Sequence, residues 1–542
     1  MICFFSWPGQ VSLFCAISLC CCCAANAQCK LPPELEAKLR TRPTIEAAID
    51  AGNWFGSHQQ FDCAAETFRT ALKADPQSAQ LHYLEGLALA NNQHQDEAIE
   101  AVRQSALLDP KVIKPHLLLA SLYEQAGRHD NADEQWKLAL AIDPKSEIVL
   151  ESFSGALLAR TDYVGVISLL QHAPRTETLT INLAEALDAL NFLDGAMDVL
   201  LEAEKLTPDS LALAKAESVI LIKKRSYLEA TKLWRYTVAH HPGNRDAELQ
   251  YLRILVMTQH NDLARPLGLK LLAQTPHDPE VLYLNGVVDR AVGDNANAKA
   301  HLEEAVALVP DFFYSRYHLG VVLVSLHEWK EGKENLEKSI ALGYTSAEVH
   351  YELAMALRGL GEMDRAAQEL QQFQDMKKAD EGRLEAAAHS SQADDELAAG
   401  NVPEAIRHYR EACDMAPDDG SVKYKLSVAL HRAGDLEGER TQLEAAVKLE
   451  PKLAGAQKQL GYLLSRTGDA AGAVEHFKMA VAAQPAWTDA WISLGAELAV
   501  QGNFADARKA AIMALRLDPA NAQAHELSDQ LEHDPAAQQT QP

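Results

Sequence analysis

Aromatic side chains are scarce in this chain, 6% of 542 residues against 47% apolar residues in all. A core built from such material comes in thin layers of alanine and leucine rather than around large rings. Basic residues are also in short supply, 50 Lys and Arg against 76 Asp and Glu. The formal charge of −26 argues against a nucleic-acid backbone or an anionic membrane surface as the main partner. Long apolar runs are confined to residues 11 to 25, too short for a spanning helix, so no membrane span is expected in the mature chain. Catalytic signatures are missing as well: there is no G-x-x-x-x-G-K-[ST], no G-x-G-x-x-G, no H-E-x-x-H and no paired C-x-x-C frame. No enzyme activity, cofactor or metal site is expected, and the adjacent His240 and His241 read as a solvated helix end.

Charge is absent altogether from residues 1 to 29. Ala25-Asn26-Ala27 before Gln28 is an A-x-A cleavage pattern after a short apolar run, so residues 1–27 are expected to be a signal peptide and the chain to be exported, periplasmic or extracellular. Acylation at one of Cys20 to Cys23, as in lipoproteins, is the alternative. Six of the nine cysteines would leave with the signal, and Cys29, Cys63 and Cys413 remain. Export permits a disulfide between Cys29 and Cys63; two unrelated thiols are the other possibility. Cys413 reads as a small buried residue.

What is abundant is repetition. Prolines fall 34 residues apart in three groups: Pro76, Pro110 and Pro144; Pro174, Pro208, Pro242, Pro276 and Pro310; Pro417, Pro451, Pro485 and Pro519. A residue without an N–H that clashes with the preceding turn stops a helix at the same place each time. Glycines 86, 286, 320, 461 and 495 keep this phase on one helix, and alanines 64, 98, 132, 298, 366, 405, 473 and 507 keep it on the next, as two closely crossing helices require. In residues 488 to 521, Trp491, Leu494 and Leu498 make one helical face, Gly502 interrupts, and Phe504, Ala507, Ala511 and Ala514 make a second. Neither face can be buried by its own helix alone.

This unit resembles the tetratricopeptide repeat (TPR), a 34-residue helix-turn-helix. Trp491, Leu494, Gly495, Ala507, Ala514 and Pro519 occupy the family's positions, while Leu498 replaces its tyrosine and Ala511 its phenylalanine. The resemblance implies an all-α TPR superhelix, or solenoid, of about fourteen hairpins. The phase divides the chain into a lead-in at 28–44, ten repeats at 45–380, a joint at 381–385, four repeats at 386–521, and a cap with a disordered tail at 522–542. Four residues are lost in the short repeat 147–176 and five are gained around Lys378 to Glu385, where a longer helix or a flexible joint is expected.

The family lines its inner groove with first helices, and the residues projecting there usually bind partners. Carried over, these are Tyr283, Arg290, Tyr314, Tyr317, Tyr351, Arg358, Tyr424, His431, Arg432, Lys458, Tyr462 and Arg466. Tyrosines and cations in an acidic chain suit an extended acidic peptide or a chain terminus. The opposing reading is packing alone, since Tyr283, Tyr317, Tyr351 and Tyr424 stand where the family often has a packing tyrosine. The lysines and asparagines of the family's peptide-terminus clamp have no match here. The expected function is a non-catalytic, exported protein-binding scaffold. An accessory subunit of an envelope export or polysaccharide-secretion machine and a regulatory partner of a separate enzyme are the alternatives. Oligomeric state is not readable.

Overall fold

The computed structural model describes residues 29–41, 44–518 and 520–533. The expected signal, the tail from Asp534 and Pro519 lie outside them. All the described secondary structure is α-helical, in 29 helices with no strand among the described residues. None of these helices is long and apolar enough to cross a membrane.

Two compact units divide the chain, residues 1–186 and 187–542. In the first, a lead-in helix Pro33–Thr41 precedes the hairpins Ile45–Ser57/Phe61–Leu72, Ala79–Asn91/Gln95–Leu108, Ile113–Gln125/His129–Ile142 and Glu147–Ala159/Tyr163–Leu170. A disulfide between Cys29 and Cys63, Cα atoms 5.5 Å apart, ties the lead-in to the second helix of the first hairpin. The second unit carries the hairpins from Leu193–Glu204 onward to Thr488–Val500/Phe504–Leu517, closed by the helix Ala522–His533.

The repeat phase translates into packing. Each of the eight alanines on the second helices is at most 2% exposed. At Gly286 a Cβ would come within 2.5 Å of Leu302 Cγ on the facing helix, and at Gly495 within 2.7 Å of Leu527 Cδ2 on the closing helix, so these crossings tolerate no side chain. All eleven described ladder prolines lie just beyond a second helix, ten of them in turns and Pro174 in the open link after the short helix.

The two phase slips have different structural outcomes. The short repeat loses one helical turn, since its second helix Tyr163–Leu170 has eight residues, and four residues are about one turn. The gain of five residues produces a single helix, Met363–Ala398, of 36 residues. The expected joint at 381–385 therefore lies inside continuous helix. This one element serves as second helix to Ala347–Gly359 and as first helix to Val402–Met415. A helix advances only about 1.5 Å per residue, so replacing an extended link by helix needs extra residues. Between Ala366 and Ala386 nothing on it is fully buried, but Phe373, Lys377, Gly382 and Arg383 still touch the neighbouring helices, and only residues 378–381 bridge the two hairpins exposed throughout.

Candidate functional site

In the second unit, the first helices Pro279–Ala291, Phe313–Ser325 and Ala347–Gly359 touch one another in succession, making an inner layer. The carried-over residues on this layer do not all face outward. Tyr283 is 4% exposed and packs edge-on against Phe312, ring centroids 5.2 Å apart, with the His318 ring at 5.8 Å. It packs rather than faces a partner, because the following repeat sets the rings of Phe312 and His318 against it.

Tyr314 and Tyr317 are half-buried. They meet Tyr344, from the link between repeats, at centroid distances of 5.6 Å and 4.5 Å. Burial pushes the hydroxyls of Tyr317 and Tyr344 up, and the charge of Arg290 pulls both back. Arg290 also acts on His318, which burial and that neighbouring cation hold down to about 3, so the imidazole stays neutral at ordinary pH. Burial raises the Glu352 carboxyl against the same cation. Arg290 thus lies among three tyrosines, a neutral histidine and a half-buried carboxyl. Its Nε is buried without a hydrogen-bond partner, and the side chain pairs with no carboxylate among the described residues.

Tyr351, 42% exposed, leans on Phe373 at 5.4 Å and borders this cluster on the next first helix. Arg358 is exposed on the same helix. Glu348, held down to about 2 by hydrogen bonds from Ser346 and Lys377, is a fixed negative charge at the other end of that helix, one turn before Tyr351.

The carried-over residues of the last four repeats are occupied differently. Lys458 is ion-paired with Asp489 and stands 4.2 Å over the Trp487 ring and 5.4 Å from that of Tyr462. The Tyr462 hydroxyl is 2.5 Å from Ser493 Oγ. Tyr424 is packed against Gly455, where a Cβ would come within 2.9 Å of its ring. Arg432 donates to the Leu397 carbonyl at 3.1 Å, His431 lies 2.9 Å from Glu439, and Arg466 is exposed. The recess beside Tyr462 is lined by Asp489, Glu497 and Glu526. Acidic walls oppose an acidic ligand, so the expected single stripe separates into a tyrosine-rich part around Arg290 and an acidic part around Tyr462.

Tyr344, His318 and Glu352 were missed in the sequence because they lie outside the repeat positions that carry partner contacts. The fold also gathers His389, His408 and Glu411, whose potential ligand atoms lie within 4.8 Å of one another. His408 and Glu411 are three apart on one helix, while His389 stands 19 residues before His408 on another. His241 reaches the Asp209 carbonyl at 2.6 Å and His240 stacks on Tyr236.

Comparison with known proteins supplies the family. Models described as tetratricopeptide repeat match residues 49–112 and 391–454, and residues 113–146. The general transcriptional corepressor ssn6 of Schizosaccharomyces pombe is 30% identical over 121 residues, which is 22% of this chain but only 11% of that protein. The type IV pilus assembly protein PilF of Pseudomonas aeruginosa is 23% identical over 193 residues, 34% of this chain and 76% of PilF. A crystal structure of the APC/C hetero-tetramer Cut9-Hcn1 covers 91% of each chain at 13% identity and a TM-score of 0.31, a likeness on which nothing here rests. The matched repeats lie in both units, and helical hairpins of the same length fill the sequence between them apart from the two slips: the chain is a tetratricopeptide-repeat protein, an all-α solenoid of the class that serves as a protein-binding scaffold.

Proposed function

We propose that the inner face around Arg290 holds an extended segment of a partner protein, with a partner carboxylate on the guanidinium. The observation that carries this reading is Arg290 itself, a half-buried cation with an orphaned Nε and no carboxylate partner among the described residues. The nearby Glu352 carboxyl acts on this cation through space but makes no ion pair with it, and a partner carboxylate offers it two charge-assisted bonds. The surrounding tyrosines give rigid contact area with hydroxyls at the rim. The scaffold has no catalytic role in this reading.

The chain is further proposed to act outside the cytoplasm, supported by its Cys29–Cys63 disulfide, a bond that persists in oxidising compartments. An envelope-assembly role draws support from the span of PilF that the chain matches.

Affinity capture of the mature chain from its native envelope would supply the partner, and Arg290→Gln then tests the site. Binding is expected to weaken by about 1–3 kcal/mol with thermal unfolding unchanged. Tyr351→Ala, at an exposed ring, is expected to lower affinity alone. Unchanged affinity in both variants would place the binding face elsewhere.

A further inference from the structure

We infer that His389, His408 and Glu411 form a transition-metal site of the zinc class, clamping the bridge helix Met363–Ala398 to Val402–Met415. His408 and Glu411 are three apart on the latter helix and so share a face. His389 comes from the antiparallel neighbour. The three donor atoms make a nearly regular triangle: His389 Nδ1 to His408 Nδ1 is 3.4 Å, His389 Nδ1 to Glu411 Oε2 is 3.1 Å, and His408 Nδ1 to Glu411 Oε2 is 3.2 Å. A tetrahedral zinc with bonds near 2.05 Å has ligand-to-ligand edges of about 3.3 Å, so the triangle matches one face of that tetrahedron. Two imidazoles and one carboxylate are a borderline donor set that favours zinc and its late transition-metal neighbours over magnesium or calcium, which want oxygen. His389 and Glu411 keep 31% and 37% of their side-chain surface exposed, which leaves room for water in the fourth position.

One neighbour opposes the metal and makes the inference sharper. Arg407 donates through one terminal nitrogen to His408 Nε2 at 2.9 Å and through the other to Glu411 Oε1 at 2.8 Å. A guanidinium can only donate, so without metal His408 Nε2 carries the lone pair and Nδ1 the proton, directed toward Glu411. A metal on Nδ1 needs the other tautomer: the Nδ1 proton goes to solvent and Nε2 takes one up, with no net change. Arg407, half exposed, then swings away and keeps its pair with Glu404, 2.9 Å in the present arrangement. Arg407 is therefore a latch on the metal-free tautomer.

The test is zinc titration by calorimetry, with thermal unfolding, on the untagged, chelator-stripped full chain. Wild type is expected to take one zinc that His389→Ala and Glu411→Gln, both at partly exposed positions, bind about tenfold or more weakly. Zinc is expected to raise the melting temperature of wild type and not of the double variant that combines His389→Ala with Glu411→Gln, and magnesium to raise neither. Arg407→Gln, which leaves an amide oxygen able to accept from Nε2–H, is expected to bind zinc more tightly than wild type. Equal zinc affinity in wild type and in the double variant, with both folded by circular dichroism, overturns the site. Weaker binding in Arg407→Gln overturns the latch.

Discussion

Thr161 holds a φ of 58°, a left-handed conformation that a β-branched side chain resists. It does so because the turn inside every hairpin requires it. Residues 59, 93, 127, 161, 191, 225, 259, 293, 327, 361, 400, 434, 468 and 502 all have positive φ, and they step through the chain with the same two slips as the prolines. Seven are glycine and the other seven are not, so this ladder was visible in the sequence only at places such as Gly502. Thr161→Gly should therefore stabilise the first unit by about 1 kcal/mol, read as a higher denaturation midpoint. Glu217 is a second strained residue: burial, with Glu204 nearby, raises its carboxyl to about 7, and its Oε1 has no partner. The native state then binds more protons than the unfolded chain between about pH 4.5 and 7, so stability falls as pH rises through that window. Glu217→Gln should gain about 1–3 kcal/mol at pH 8 and little at pH 4.5, checked by unfolding at both values. The tyrosines show the limit of repeat arithmetic. Tyr283 and Tyr351 sit at one repeat position, yet the first is buried by Phe312 and the second is exposed, because their neighbours on the following repeat differ.

At the scale of the element, the hairpins were legible because proline, glycine and alanine each mark a physical event: a stop, a crossing, a contact. The bridge was legible only as a count. A gain of five residues with a charged composition fits a joint or a helix equally, since Lys, Glu, Arg and Ala favour helices and also solvate well. Contacts distant in sequence decide it: Lys377 pairs with Glu348 at 2.9 Å, Arg383 with Asp418 at 3.0 Å, and a Cβ on Gly382 would come within 2.8 Å of the Met415 carbonyl. Ala379→Pro tests the point. In a continuous helix it removes a backbone bond and clashes with the preceding turn, at a cost of about 3 kcal/mol or more. The expected outcome is lost amide protection around residues 375 to 383 by hydrogen exchange; an unaltered exchange pattern would favour the joint. The metal triad lay beyond sequence reading for the same reason, since His389 meets His408 only once the 36-residue helix has turned back on its neighbour.

On the scale of the whole molecule, two devices hold ends and middles together. The Cys29–Cys63 disulfide closes a stretch of 34 residues, for which chain entropy gives about 2–4 kcal/mol of stabilisation. Cys29→Ser with Cys63→Ser should lower the stability of the first unit by that amount under oxidising conditions and leave it unchanged in reductant, where wild type loses the same bond. The other device is the bridge, and it makes length equivalent to angle. Along the exposed stretch at residues 378–381, each residue added or removed turns whatever follows by roughly 100° and shifts it only about 1.5 Å. The repeats before and after it are thus geared like two dials on one shaft: a single-residue insertion leaves both intact but points them apart, whereas seven residues bring them back to within about 20° of their original alignment.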